Sequence, residues 1–176
     1  MGILGMKLRM LKILRLFLIS SLLSIYSLSC VSVKIPMGDS GKTRSSHVQF
    51  VPPPSPFSSI QAELADQQWT SARTGNSISF LSECKIRNEP SLEVLEKEVL
   101  SALDQVVVKR ESLIFNEREA LRIRATGKLD GVGVEIDSLI FKRNTCSYTL
   151  TFGGRKGSLA SEQNLFDKFL KEFKAP

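Results

Sequence analysis

Beyond residue 60, apolar and polar positions mostly alternate with the period of a strand, and two stretches repeat with the period of a helix. Trp69–Arg73 and Ser77–Ser82 flank Gly75-Asn76, a two-residue hairpin signal. After Pro90 the period changes. Leu92, Leu95, Val99, Ala102, Leu103 and Val106 recur at helical spacing, with Glu93, Glu96, Lys97, Glu98 and Asp104 on other faces. Ser91 is positioned as the N-cap, Glu93 sits near the positive end of the helix dipole, and Glu93 and Lys97 form a favourably ordered i, i+4 pair.

A meander follows. Leu121, Ile123 and Ala125 alternate with Arg122 and Arg124; Asp130-Gly131 marks a turn; Val132, Val134 and Ile136 alternate with Gly133, Glu135 and Asp137. Leu139-Ile140-Phe141 breaks the alternation, which either a bulge near Asp137-Ser138 or burial of both faces accounts for. Arg143-Asn144 is the next turn, and Cys146, Tyr148, Leu150 and Phe152 then share one parity. A last helix starts near Ser161, with Leu165, Phe166, Phe169, Leu170 and Phe173 as a stripe that packs on the sheet. The expected order is ββαβββα, an α+β domain over residues 61–176 with two main helices on an antiparallel sheet.

The first 60 residues read differently. Lys7, Arg9, Lys12 and Arg15 precede the apolar run Leu16–Tyr26, and small residues lead to Cys30, the layout of a secretory signal peptide over residues 1–29. Ser27-Leu28-Ser29-Cys30 resembles a relaxed bacterial lipobox, although leucine is expected where Ser27 stands. The resemblance implies cleavage before Cys30 and its fatty acylation (diacylglycerol and palmitate), giving a lipid-anchored envelope protein. Several acyl chains hold a protein at a bilayer where one binds only marginally. Val31, rather than aspartate, follows the cysteine, which favours the outer membrane facing the periplasm. Plain secretion into the periplasm is the alternative. Residues 30–60, rich in proline, glycine and serine, read as a tether between anchor and head.

Charge and cysteine content sharpen this picture. The net charge is +6, from 24 basic and 18 acidic residues. Removing residues 1–29 takes away the four basic residues named above and no acidic one, so +6 − 4 leaves +2. That excludes the dense basic face on which nucleic-acid affinity depends. If Cys30 is acylated, Cys84 and Cys146 remain, and both project from the apolar side of their strands. They form either a disulfide, natural to an oxidising compartment, or two buried thiols.

Catalytic chemistry is sparse. His47 is the one histidine and falls in the expected tether, so neither a histidine-based nucleophile nor a histidine metal site is expected in the head, and no cofactor is. Glu135 and Asp137 stand two apart on a strand near Asp130, the only arrangement suggesting a paired-acid hydrolase. Gly153-Gly154-Arg155-Lys156-Gly157-Ser158 joins a strand to a helix and offers a possible anion-binding loop, without Walker spacing. Arg122 and Arg124 lie on the strand face opposite the apolar one, as an exposed polar surface or a patch for an acidic partner or membrane.

The element order resembles the PsbP-like fold, a compact α/β sandwich. The chain is also similar to small bacterial lipoproteins carrying Trp69, Ser82-Glu83-Cys84, Leu129-Asp130-Gly131-Val132-Gly133-Val134 and Cys146-Ser147-Tyr148. Those motifs are structural, so no functional residue is carried over. The expectation is a non-catalytic envelope lipoprotein whose head binds a protein or other envelope ligand. A hydrolase using Asp130, Glu135 or Asp137, or a structural subunit of an envelope complex, are the alternatives.

Overall fold

A computed structural model of the chain describes residues 43–84 and 89–176. The expected signal peptide, Cys30 and residues 30–42 of the tether lie outside them. Seven strands form one fully antiparallel sheet: β1 (Phe57–Ile60), β2 (Gln67–Ser71), β3 (Ser77–Cys84), β4 (Asp104–Phe115), β5 (Arg118–Leu129), β6 (Val132–Arg143) and β7 (Cys146–Arg155), in spatial order β1-β2-β3-β7-β6-β5-β4. Helix α1 (Leu92–Leu100) connects β3 to β4, and a short 3₁₀ turn (Leu159–Ser161) leads into α2 (Gln163–Glu172). The α+β class with two helices on an antiparallel sheet is as expected.

Two strands were not expected. β4 occupies residues read as the end of the first helix and the connection after it. Its Val106-Val107-Val108 run is β-branched, suited to a pleated surface, and it pairs with β5 from Val107↔Thr126 to Phe115↔Arg118. The helix therefore stops at Leu100, and Ala102, Leu103 and Val106 continue its spacing only by coincidence. Asn116 and Glu117 turn the chain with φ of 49° and 63°, a hairpin without glycine that leaves a weak sequence signal.

β1 lies in the expected tether, and most of that segment from Thr43 onward is strapped to the domain. Thr43 exchanges both backbone hydrogen bonds with Cys84, Gln49 does so with Lys174, and the Phe50 ring packs edge-on against Trp69 and Phe80. The proline-rich composition conceals three apolar anchors: Val48, Phe50 and the buried Phe57. The turns shift as well. β2 ends at Ser71, so Ala72–Asn76 form a five-residue hairpin loop, and the β6–β7 turn falls on Asn144-Thr145 (φ 51° and 62°) rather than Arg143-Asn144.

The register of β6 is continuous with both neighbours, so burial of both faces explains Leu139-Ile140-Phe141, not a bulge. Leu139 and Phe141 join the larger core with Trp69, Ile78, Phe80, Tyr148, Leu150, Phe152 and the α2 residues Phe166, Phe169 and Leu170. Ile140 joins a smaller one with Leu95, Leu121 and Ile123 beneath α1. The two sheet faces are unequally covered. On one face α2, the strap and the C-terminal residues Phe173 and Ala175 lie over the strands. On the other, α1 has nine residues, about 14 Å of helix, against a sheet about 29 Å wide. It covers β5 and β6 and leaves β2, β3 and β7 open.

Candidate functional site

The uncovered face holds a groove of ≈ 660 Å³. Odd-numbered residues of β3 and β7 point into it because even-numbered ones are committed to the α2-side core: along Ser77–Cys84 half-buried and buried positions alternate. Ser79, Leu81, Thr149 and Thr151 form its floor, Leu64 and Ala65 of the β1–β2 loop one wall, and Val99 and Leu103 of α1 and its exit the other. Leu64 is 66% exposed. The Thr151 hydroxyl is hydrogen-bonded to Ser138 at 2.9 Å. A recess of ≈ 170 Å³ under α1, sharing Leu81, Val99 and Thr149, lengthens the groove towards Glu83 and Glu98. Gln61, Glu63 and Gln68 also line the groove, so apolar walls stand beside hydroxyl, amide and carboxylate groups that can orient a ligand. Period-two alternation did locate these floor residues, but small hydroxyl side chains facing away from a core read as plain solvent contacts.

The residues singled out as possible chemistry lie on the opposite face or at the sheet ends. Asp137, 2% exposed, is the centre of an ion network. Arg122 grips it with two hydrogen bonds of 2.8 and 2.7 Å and reaches Asp167 of α2 at 2.7 Å, while Gln163 donates to Asp137 at 2.9 Å and Arg124 at 3.3 Å. The hydrogen bonds to Asp137, opposed by burial and joined by Asp167, raise the Arg122 pKa further above its already high value, so it stays charged. Arg122 thus belongs to the α2 interface, not to an exposed basic patch; Leu121, Ile123 and Ala125 face the other way.

Glu135, two residues before Asp137, accepts the Leu159 N–H at 2.7 Å and so caps the 3₁₀ turn. Asp130 sits in the β5–β6 turn with φ 50°. Glu135 and Asp137 share an opening of ≈ 300 Å³ with Lys109, Arg124 and Gln163, but both carboxylates are already hydrogen-bonded within the protein, and Asp130 is not part of its lining. In the loop Gly153–Ser158, Lys156 donates its N–H to Gly133 and Ser158 donates to Arg155, so these two amides point at the protein's own carbonyls. Glu135 stands where the 3₁₀ turn would receive an external anion. Gly154 is required sterically: a Cβ there would lie 2.0 Å from Asn76 Oδ1. Gly157 takes φ +86°, a conformation that favours glycine.

A buried carboxylate that the sequence did not single out is Glu162, fully buried before α2. Thr74 donates to it at 2.6 Å, Ser71 at 2.7 Å, Asn76 at 2.9 Å and Arg73 at 3.2 Å, so one side chain clamps the whole β2–β3 loop. Burial alone opposes ionisation, but the hydrogen bonds from Thr74, Ser71 and Asn76 and the charge of Arg73 outweigh it and hold the Glu162 carboxyl below the usual range. A pKa depressed on folding stabilises the protein above the unfolded value of about 4.3, and that contribution disappears as pH falls through the folded value. Urea titrations of wild type should therefore show stability declining below pH 4.5. Glu162→Gln should be destabilised at pH 7 and flatter in acid; equal acid slopes for the two proteins would contradict the clamp. No spacing rule links Glu162 to a loop ninety residues earlier, so only the fold exposes it.

Among the described residues no group of three or more His, Cys, Asp or Glu is placed to hold a metal ion, and no helix is long and apolar enough to cross a membrane. No family model matches the chain, and no curated protein sequence does. Solved structures do match. Cyanobacterial PsbP (CyanoP) from Synechocystis superposes with a TM-score of 0.55 at 11% identity, over 85% of this chain and 99% of that one. LpqN, involved in cell envelope biogenesis of Mycobacterium tuberculosis, superposes with a TM-score of 0.55 at 9% identity, over 76% of this chain and 89% of its own. A Pseudomonas aeruginosa protein of unknown function, PA94, aligns at 12% identity with a TM-score of 0.45 over 73% of this chain and 81% of that one. At these identities the likeness concerns the fold alone: the domain has the PsbP-like architecture.

Proposed function

We propose that the chain is a lipid-anchored envelope protein whose α+β head binds an envelope protein or another envelope ligand in the groove over β3 and β7, without catalysis. The groove is the observation that carries this reading. It offers ≈ 660 Å³, its lining is half apolar and half polar with Glu63 as its one carboxylate, and the acidic residues Glu135, Asp137 and Glu162 are engaged elsewhere in internal hydrogen bonds. LpqN, similar in fold, is involved in cell envelope biogenesis, which agrees with an envelope setting. The secretory layout of residues 1–29 supports export, the resemblance of Ser27–Cys30 to a lipobox supports lipid anchoring, and Val31 after the cysteine favours the outer membrane facing the periplasm.

Filling the groove should abolish binding without unfolding the head. Ser79→Trp places an indole on its floor, and Ser79 is only half-buried, so the melting temperature should stay within a few degrees. A photo-crosslinking residue at Leu64 should capture a defined adduct in intact envelopes, and Ser79→Trp should eliminate it. Adducts that persist unchanged in Ser79→Trp would argue for another surface. Cys30→Ala should abolish incorporation of a fatty-acid analogue and move the protein to the soluble fraction; unaltered membrane retention would refute acylation at this residue.

A further inference from the structure

The two sheet edges differ. β1 has four residues and follows Pro52-Pro53-Pro54 and Pro56, a blunted edge. β4 has twelve residues, contains no proline, and exposes Val107 at 70% and Ile114 at 71%.

The hydrogen-bonding phase of β4 follows from its hairpin. Phe115↔Arg118 flank Asn116-Glu117, both with positive φ, so this pair exchanges backbone hydrogen bonds. With a period of two, Leu113, Glu111, Lys109 and Val107 also bond to β5, and Ile114, Ser112, Arg110 and Val108 turn their N–H and C=O groups outward. Any antiparallel partner must bond to those four.

We infer that β4 pairs with β4 of a second copy of this chain, antiparallel about a two-fold axis at Arg110, joining two seven-stranded sheets into one. An axis at Glu111 would put two carboxylates opposite each other, and one at Lys109 two ammonium groups. The axis at Arg110 instead places Lys109 opposite the second copy's Glu111, twice over, in the closely spaced non-hydrogen-bonded class, and Val107 opposite Leu113. The two Arg110 side chains that meet at the axis are each held by Glu96 of their own α1, at 2.7 Å. Edge charges of one sign repel a like edge; the Lys109–Glu111 pair is self-complementary in this register.

Sedimentation equilibrium of the full-length chain in mild detergent tests the pairing, with thermal melting as a check on folding. Wild type should be a dimer whose dissociation constant rises with salt. Lys109→Glu and Glu111→Lys should each weaken dimerisation by about tenfold, and the double exchange should restore it to within about threefold. Ser112→Pro should melt like wild type, because its N–H faces outward, yet remain monomeric. A wild-type chain that is monomeric at every concentration, whether or not its edge takes another protein's strand, overturns the inference. So does a dimer indifferent to either single charge reversal or to Ser112→Pro, and so does a double exchange that fails to restore association.

Discussion

Asp137→Ala should lower stability by about 3–5 kcal/mol, because it strips the buried partner from a largely buried guanidinium and leaves it only the half-exposed Asp167, rather than trimming a surface ion pair. The Arg122 side chain is 16% exposed and cannot re-enter water without displacing α2, whose Asp167 and Gln163 meet it and Asp137 on the same face. Deleting Asp137 leaves three donor groups facing an empty site, and each lost buried hydrogen bond to a charge costs about 1.5–3 kcal/mol. For a domain of this size the melting temperature should fall by roughly 10–20 °C. Arg124→Ala should cost under about 1 kcal/mol, since its side chain is 49% exposed and its contact is 3.3 Å. The Arg122→Leu/Asp137→Leu double variant should be less damaged than the sum of the singles, because no buried charge is left unpaired; Asp167 and Arg124, which lose their partners, are each about half exposed to water. If Asp137→Ala melts within 3 °C of wild type, the network is not what fixes α2 to the sheet.

The same network shows what the sequence can and cannot disclose. Alternation put Glu135, Asp137, Arg122 and Arg124 away from the smaller apolar core, and polar residues in that position look solvated. The burial of Asp137, and most of that of Arg122, depends on α2 arriving about thirty residues later with Gln163 and Asp167 at the right turns. A strand has two faces, and local pattern says only that they differ. When helices cover both, the more polar face is mistaken for surface.

The fold itself was more legible. Asp130-Gly131 turns as expected because glycine takes φ +80° there, and Ser91 caps α1, accepting from the Val94 N–H at 3.4 Å. Two of the departures share one cause. At Asn116-Glu117 and Asn144-Thr145 residues other than glycine take positive φ, which the hairpin twist demands and pairing of long strands sustains. Without a glycine to mark it, the first turn was missed with its strand and the second displaced by one residue. The groove was invisible for a related reason. It exists because a nine-residue helix is too small for the sheet it covers, and sheet width is a property of all seven strands together.

Breaking the Cys84–Cys146 disulfide should cost about 4 kcal/mol and lower the melting temperature by roughly 12–20 °C. The sulfurs are bonded, and the residues face each other in the register of β3 and β7. Both backbone groups of Cys84 pair with Thr43, on the side away from β7, so this is a non-hydrogen-bonded pair, where strands bring side chains closest. The bridge closes a separation of 62 residues containing α1, β4, β5 and β6. In the unfolded chain that closure removes much conformational freedom, which is the main origin of the stabilisation in the chain-entropy account. Topology adds a local reason. β1 to β3 and β4 to β7 are two consecutive meanders, and β3–β7 is the seam between them, so its pairing spans the longest sequence separation in the sheet. Cys84→Ala/Cys146→Ala should therefore unfold at lower urea concentration, and non-reducing peptide mapping of wild type should recover the two cysteines joined. Identical melting of the oxidised protein and the double alanine variant would mean that the seam holds through Ile78, Phe80, Leu150 and Phe152 alone.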